Sequence, residues 1–300
     1  MGVLALAKGA ARVRCAHRFA RGLGLSLVTT STADPLAALS ALPGVAEAVA
    51  ETRSAVDRLR AHKVLRSRSA EVTAESALRG ARASAAIAGA DWPLEELRRR
   101  TDLGDEQGAG LVRGALRISG ELSPLLGVLQ QAPAQALTRM HMLAAAGEVE
   151  GNRIGRPRAE GESASLEPGG PGTPVDAEEA AGRLTALAGL LAAPSKAPAL
   201  VVAAVAQGEL LAATPFGWGD GLLARAVFRL LLVARGLDPQ SLAVPEVGFL
   251  ELGLDARRAA LDAYRSGTAE GLGSWIAHCG EALTRGTQEA LAICEALMRG

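Results

Sequence analysis

Residues 213–225 read Ala-Thr-Pro-Phe-Gly-Trp-Gly-Asp-Gly-Leu-Leu-Ala-Arg and hold the most suggestive spacing in the chain. Gly217, Gly219 and Gly221 precede a long apolar run, and glycines at a helix start let backbone N–H groups close around an anion. Arg225, one turn into that run, can reach a bound phosphate with its forked guanidinium. The spacing predicts an anion site. The alternative is that Arg225 pairs with a carboxylate and the glycines only form a turn.

The segment that follows, Leu222–Arg235, is apolar nearly all round, with Arg225 and Arg229 as the charged residues inside it. A helix that is hydrophobic on every side is buried at the centre of a fold. Its N-terminus would then open from the core toward a cleft, where the helix dipole favours negative charge. The loop itself holds no His, Lys or Cys, so the residues predict binding more clearly than catalysis.

The elements that must position this loop are helices. Apolar residues recur at helical spacing along most of the chain, and strand-like alternation is nearly absent. Aromatic residues make up 3% of the chain, so the core must be built mainly from Ala, Leu and Val. We therefore predict an all-α fold of eight to ten helices. The clearest predicted helices are Leu94–Arg100, Leu111–Ile118, Ala134–Ala145, Leu184–Leu191, Ala199–Leu211, Ala256–Ser266 and Gly271–Leu297.

The sequence divides into three parts by composition. Residues 1–33 contain five basic residues and no acid, and we predict that they are disordered or precede the true start. Residues 34–300 form a single predicted helical domain. Within it, ten of the 24 residues in 151–174 are Gly or Pro, which predicts a loop or flap rather than a helix. Asp176, with Glu179 three residues later, then forms a predicted capping box.

Charge and cysteine content exclude several classes of function. Thirty-two basic and 32 acidic residues cancel, which argues against nucleic acid or an anionic membrane as partner. No apolar stretch is long enough to span a bilayer, because the best candidate, 199–214, carries Gln207 and Glu209. The three cysteines form no CxxC motif, which favours free thiols and a cytoplasmic location. The four histidines lack metal-ligand spacing, and the sequence carries no signal for an oligomeric state.

The glycine loop resembles the signature loop of the Fic (Fido) domain family. The family pattern is His-Pro-Phe-x-[Asp/Glu]-Gly-Asn-Gly-Arg-x-x-Arg, and residues 214–225 read Thr-Pro-Phe-Gly-Trp-Gly-Asp-Gly-Leu-Leu-Ala-Arg. Other segments resemble the family in the same order along residues 45–295. They are an inhibitory motif at 84–89 with Ala88 in place of its Glu, the helix before the flap at 137–143, the flap start at 151–155, and closing helices at 260–265 and around Trp275.

The resemblance implies an α-helical bundle with a Gly/Pro-rich flap or β-hairpin insertion. It also implies transfer of AMP from ATP to a protein hydroxyl, or of a related phosphoryl group. In the family the loop His is the general base, the acidic residue holds Mg²⁺, and the two Arg contact phosphates. The Glu of the inhibitory motif pairs with the second Arg, which is Arg225 here. With Ala88 at that position, Arg225 is expected to bind an anion or to find a new partner.

Four departures remove most of this chemistry. Thr214 stands at the position of the base, and losing a general base typically costs about 10²–10⁴ in rate. Trp218 stands at the metal carboxylate, which an indole cannot replace. Leu222 replaces the first Arg, and Asp220 puts a negative charge where phosphate oxygens would lie. No catalytic residue is therefore assigned.

We predict a catalytically impaired binding or regulatory module that retains an anion or nucleotide cleft at Gly219, Asp220, Gly221 and Arg225. The alternative is an active AMPylation-like transferase that uses Asp220, Arg225 and an unidentified base, with Asp220 as the metal ligand. If a cofactor binds, the resemblance indicates ATP or another nucleotide with Mg²⁺. The expected partner is a protein segment held by the flap and cleft.

Overall fold

The computed structural model describes residues 34–100 and 102–299. These residues form 13 α-helices and two short 3-10 turns, Leu39–Ala41 and Gly151–Arg153, and no strand. The helices are α1 Pro35–Ala38, α2 Val45–Arg60, α3 Leu65–Ile87, α4 Leu94–Arg99, α5 Ala109–Gly120, α6 Leu122–Gln131, α7 Pro133–Ala145, α8 Ala177–Ala192, α9 Ala199–Ala213, α10 Asp220–Ala234, α11 Pro245–Leu252, α12 Leu254–Arg265 and α13 Ala269–Arg299.

The all-α prediction is confirmed, but the predicted number of helices was too low. The described residues hold 13 rather than eight to ten. Two of the helices that we did not predict, α6 and α11, each contain a proline and a glycine. Pro245 occupies the first turn of α11, where proline is tolerated because its missing N–H has no partner there. Pro124 sits within the first turn of α6 for the same reason.

The centre of the molecule is the helical hairpin of α9 and α10. Every residue of α9 except Ala199 is buried, and α10 is buried from Asp220 to Leu232. This confirms that the apolar run before the glycine loop is a core helix. Within this hairpin, α9 packs against α2, α8, α12 and α13, and α10 packs against α3, α5, α6 and α7. No helix among residues 34–100 and 102–299 combines the length and apolarity that crossing a membrane requires.

The flap at 151–174 is a chain of turns that begins with the 3-10 turn Gly151–Arg153. The β-hairpin alternative for this segment was wrong, because the flap forms no strand and its backbone bonds instead to the glycine loop. The N–H of Arg158 donates to the Pro215 carbonyl at 2.8 Å, and the N–H of Ser165 donates to the Gly217 carbonyl at 2.6 Å. The flap therefore closes over the loop.

Two further predictions concern boundaries. Asp176 caps α8, since its carboxylate accepts a hydrogen bond from the backbone N–H of Glu179 at 2.7 Å, as the capping box predicts. The prediction for residues 1–33 lies outside the described residues. The assignment of 34–300 as one domain stays a prediction.

Candidate functional site

The loop between α9 and α10 is built from residues with positive φ angles. Thr214 ends α9 at φ 43° and ψ 56°, and Gly217 and Gly219 follow at φ 76° and 69°. Glycine adopts this region freely, whereas a β-branched residue adopts it only under strain. The Thr214 side chain is also buried, and its Oγ has no hydrogen-bond partner among the described residues. The position that the resemblance aligns with the family's base therefore holds a residue with a strained backbone and with a buried hydroxyl that has no partner in the described chain.

Asp220 holds the loop closed. It is the first residue of α10, and its two carboxylate oxygens accept the backbone N–H groups of Phe216 at 3.0 Å and Gly217 at 2.8 Å. Burial raises the pKa of Asp220 to about 7, although the two backbone N–H donors and nearby Arg158 act in the opposite direction. Both oxygens are thus engaged by the backbone. This geometry gives Asp220 a role in shaping the loop rather than one as a free metal ligand.

Arg225 points from the first turns of α10 into a buried cluster. Its Nε donates to Ser84 Oγ at 2.8 Å, and its Nη2 donates to the Ser84 carbonyl at 2.9 Å. Its two terminal nitrogens also form a forked pair with the two carboxylate oxygens of Glu167, each at 3.0 Å. Burial lowers the pKa of Arg225 to about 9, with nearby Glu246 acting to raise it, so the side chain stays cationic at neutral pH.

Glu167 comes from the flap, and it fills the position in which we predicted an anion. Its carboxylate lies against Gly221 in the first turn of α10, so closely that a Cβ at that glycine would coincide with it. Arg257 of α12 reaches the same carboxylate with Nη2 and donates to the Pro168 carbonyl at 3.0 Å with Nη1. Gly221 is needed here because only a residue without a side chain admits the carboxylate.

Two buried arginines therefore converge on one carboxylate. Arg225 and Arg257 are 1% and 2% exposed at their side chains, and Glu167 is 12% exposed. Burial also lowers the pKa of Arg257, to about 10. The cluster holds two cations against one anion, with Ser84 as a neutral acceptor. The open alternative from sequence, that Arg225 pairs with a carboxylate, is confirmed, and the partner is a flap residue.

His141 of α7 packs directly beneath the loop. Its ring stacks on Phe216 with centroids 4.2 Å apart, and its Nδ1 accepts the N–H of Gly155 at 2.9 Å. Burial lowers the pKa of His141 to about 4, opposed by the nearby Trp218 carbonyl and reinforced by Arg153. The neutral ring must carry its proton on Nε2, because Nδ1 is the acceptor. That Nε2 is buried and makes no hydrogen bond within the described chain. His141 is therefore arranged as a donor, not as a base.

The remaining departures from the signature loop are apolar. Leu222 is 2% exposed and packs in a small core with Trp92, Val112 and Ile118, and Trp218 lies against the same cluster. Within the described residues, no group of three His, Cys, Asp or Glu side chains is placed to hold a metal ion. The residues at this loop therefore do not fit a Mg²⁺-bound nucleotide while Glu167 is in place.

The structure thus brings together four of the residues singled out from sequence: Thr214, Asp220, Gly221 and Arg225. It adds Glu167 and Arg257, which sequence reasoning did not assign. Arg257 carried one signal, since it shares a helical face with Leu261 and Tyr264, and all three are buried. For Glu167 the sequence gives no such signal, since it is simply an acidic residue in a turn-rich segment.

Among the solved structures that match this chain, two Fic proteins align over similar lengths. A Fic family protein from Desulfovibrio desulfuricans G20 is 20% identical, with a TM-score of 0.64 over 84% of this chain and 75% of its own. Residues 134–508 of Fic-1 from C. elegans are 17% identical, with a TM-score of 0.58 over 84% of this chain and 73% of that fragment. The sequence matches no protein-family model and no curated protein. The chain has the fold of these Fic proteins.

Proposed function

We propose that this protein is a catalytically impaired Fic-fold module that works by binding and regulation rather than by group transfer. One observation supports this above the others: Glu167 of its own flap occupies the anion position and forms the forked pair with Arg225. A phosphate group would need the same guanidinium and the same space against Gly221. The cleft is then an anion or nucleotide site only when the flap carboxylate has left it.

The groups that a transferase requires support the same proposal. The base position holds Thr214, whose hydroxyl does not titrate near neutral pH. His141 is the ionisable side chain stacked on the loop, and its free nitrogen carries the proton. The active-transferase alternative would need another base and a different arrangement of Asp220. We propose that the flap and cleft form the surface that binds a protein segment. The cytoplasmic location stays a prediction.

Transfer of label from ATP tests the proposal. The wild-type protein would be incubated with α-labelled or γ-labelled ATP and Mg²⁺, alone and with a lysate, beside the variant Glu167→Gln. We expect no metal-dependent labelling of any protein by either form, because freeing Arg225 restores neither the base nor the metal ligand. The matched control is Glu162→Gln, a change to another flap glutamate, which pairs with Arg156 instead.

Metal-dependent labelling that is absent in Arg225→Lys would contradict impairment. Because Arg225 is fully buried, the fold of that variant must first be checked by its thermal unfolding. If the variant does not fold, Thr214→Val serves in its place, since it removes the hydroxyl at the base position while keeping the side-chain shape.

A further inference from the structure

A second cationic site lies on the opposite end of the central hairpin from the glycine loop. A cavity of about 410 Å³ opens where α2, the first turn of α9 and the C-terminal end of α10 meet. We call it the basic cavity, and its lining includes Val49, Arg53, Lys196, Pro198, Arg235 and Leu237. A volume of this size matches a small-molecule site.

The charges in the basic cavity are all of one sign. Arg53, Lys196 and Arg235 line it, and none of its lining residues in the described part of the chain is Asp or Glu. No ion pair of any of these three cations is found within the described residues. Arg235 is positioned by its Nη2, which donates to the Ser195 and Ala197 carbonyls at 2.8 Å each. Three cations that share a concave surface repel one another unless an anion lies between them.

Asp34, a carboxylate beside the cavity, is held away from it by the turn. Asp34 adjoins the cavity at Lys196, but its oxygens accept the N–H of Lys196 at 2.6 Å, the Ser195 hydroxyl at 2.9 Å and the first N–H groups of α1. These neutral donors fix the orientation of the Asp34 carboxylate, which does not line the cavity. The 33 residues that precede Asp34 contain no Asp or Glu, so no side chain of theirs can supply the missing charge either.

Backbone N–H groups at the start of α9 add to the positive electrostatic potential of the basic cavity. Pro198 precedes α9 and provides no side-chain cap, and the N–H groups of Ala199 and Leu200 find no acceptor in the described chain. A helix start of this kind adds partial positive charge to that of the side chains. Arg and Lys together with backbone N–H groups are the donor set that holds a phosphate group.

We propose that the basic cavity binds a small phosphomonoester. The guanidinium of Arg53 and the ammonium of Lys196 would contact the phosphate oxygens, with Arg235 as the fixed cation behind them. Val49 and Leu237 would contact the carbon backbone of the ligand. This site does not depend on the glycine loop or on the function proposed for it.

Calorimetric titration of the full-length protein with glycerol 3-phosphate tests the assignment. Arg53→Gln and Lys196→Gln should each weaken binding about tenfold, since each removes a charge-assisted hydrogen bond. Both side chains are exposed, so the variants should fold. Matched controls are Arg66→Gln and Lys63→Gln, which remove exposed cations outside the cavity and should leave the affinity unchanged.

Three results would overturn the proposal. The first is no binding of glycerol 3-phosphate to the wild-type protein. The second is equal affinity in the cavity and control variants. The third is binding only to vesicles that contain phosphatidic acid, which would assign the cations to a lipid surface. The variant Glu167→Gln changes the anion position at the glycine loop. An unchanged affinity of this variant for glycerol 3-phosphate would show that the ligand binds at the basic cavity and not at the loop.

Discussion

Two arginines stand one turn apart on α10, and each pairs with a glutamate. Arg225 pairs with Glu167 of the flap, and Arg229 pairs with Glu246 of α11 at 3.0 Å. Both arginines are almost fully buried, at 1% and 3% side-chain exposure. Their partners differ, because Glu246 is held within a helix and Glu167 lies in a segment of turns. We therefore expect the first pair to open to solvent more readily than the second, which cannot separate without unpacking a helix.

The loops beside the two arginines are also built alike. Asp220 closes one by accepting two backbone N–H groups, and Asp238 closes the other by accepting those of residues 242 and 243. Each loop holds a non-glycine residue with positive φ, Thr214 at 43° and Ser241 at 53°. Ser241 Oγ accepts the Nε of Arg229 at 2.7 Å, whereas Thr214 Oγ has no partner.

The residues around Arg229 form a structural network, whereas those around Arg225 form the candidate site. Arg229 donates to Ser241 and pairs with Glu246, and a Cβ at Gly80 would contact both members of the ion pair. Around Arg225, a hydroxyl and the His141 Nε2 are unsatisfied, and the counter-ion is supplied by the flap. Among the described residues, three buried side-chain atoms lack a partner: two at the glycine loop, and the third, His278 Nε2, in a ring that packs on Phe249 of α11.

Replacing Glu246 or Glu167 by glutamine should give the largest difference in the free energy of unfolding between the two arginine pairs. Glu246→Gln leaves Arg229 buried without a counter-charge, which should cost about 3–5 kcal/mol in the free energy of unfolding. Glu167→Gln should cost only about 1–2 kcal/mol, because water can reach Arg225 when the flap opens. Urea unfolding of the two variants measures both values. Equal losses would show that the flap pair is as much a part of the core as the helix pair.

Acid should destabilise the loop region through His141. Its pKa falls from 6.5 to about 4 on folding, so the unfolded chain binds the proton first. Its contribution to stability is complete above pH 6.5 and is lost as the pH falls toward 4, by up to about 3 kcal/mol.

The variant His141→Gln keeps an acceptor for the Gly155 N–H and does not titrate. The difference in unfolding free energy between wild type and this variant should therefore shrink from pH 7 to pH 4.5. Burial also lowers the pKa of His278 to about 4, but His278 is present in both proteins and cancels in the difference. A difference that does not change with pH would show that His141 is not buried as a neutral ring.

The two positive-φ residues should respond with opposite sign to replacement by glycine. Thr214→Gly relieves backbone strain and removes an unsatisfied buried hydroxyl, so we expect about 0.5–1 kcal/mol of added stability. Ser241→Gly relieves similar strain but deprives Arg229 of an acceptor, so we expect a loss of about 1–2 kcal/mol. Thermal unfolding measures both. Destabilisation by Thr214→Gly comparable to that by Ser241→Gly would place Thr214 in a structural role.

Much of this arrangement could be read from local sequence. The buried hairpin of α9 and α10 follows from an apolar run on each side of a glycine loop, and Asp176 caps α8 because its residue type and position are local signals. The partner of Arg225 could not be read in this way. Glu167 lies 58 residues before Arg225 in the chain, and Arg257 lies 90 residues after Glu167. This long-range pairing of charges depends on how the flap folds over the loop. The spacing of apolar residues along the sequence does not predict that arrangement.

The orientation of the Asp220 carboxylate could not be predicted from the sequence either. From the sequence, its charge stood where phosphate oxygens would lie. In the structure its carboxylate turns back to the N–H groups of Phe216 and Gly217. An aspartate at a helix start can point outward to a ligand or back to its own loop, and the choice depends on the loop's φ angles rather than on the residue type.

The affinity for ATP of the wild-type protein and of Glu167→Gln, measured by calorimetry, tests most directly whether the flap carboxylate holds the anion position. If Glu167 competes for Arg225, removing its charge should tighten ATP binding about tenfold or more. Glu162→Gln should leave the affinity at the wild-type value, and the basic cavity is unchanged in all three proteins. Equal affinity of the wild type and Glu167→Gln would contradict the account.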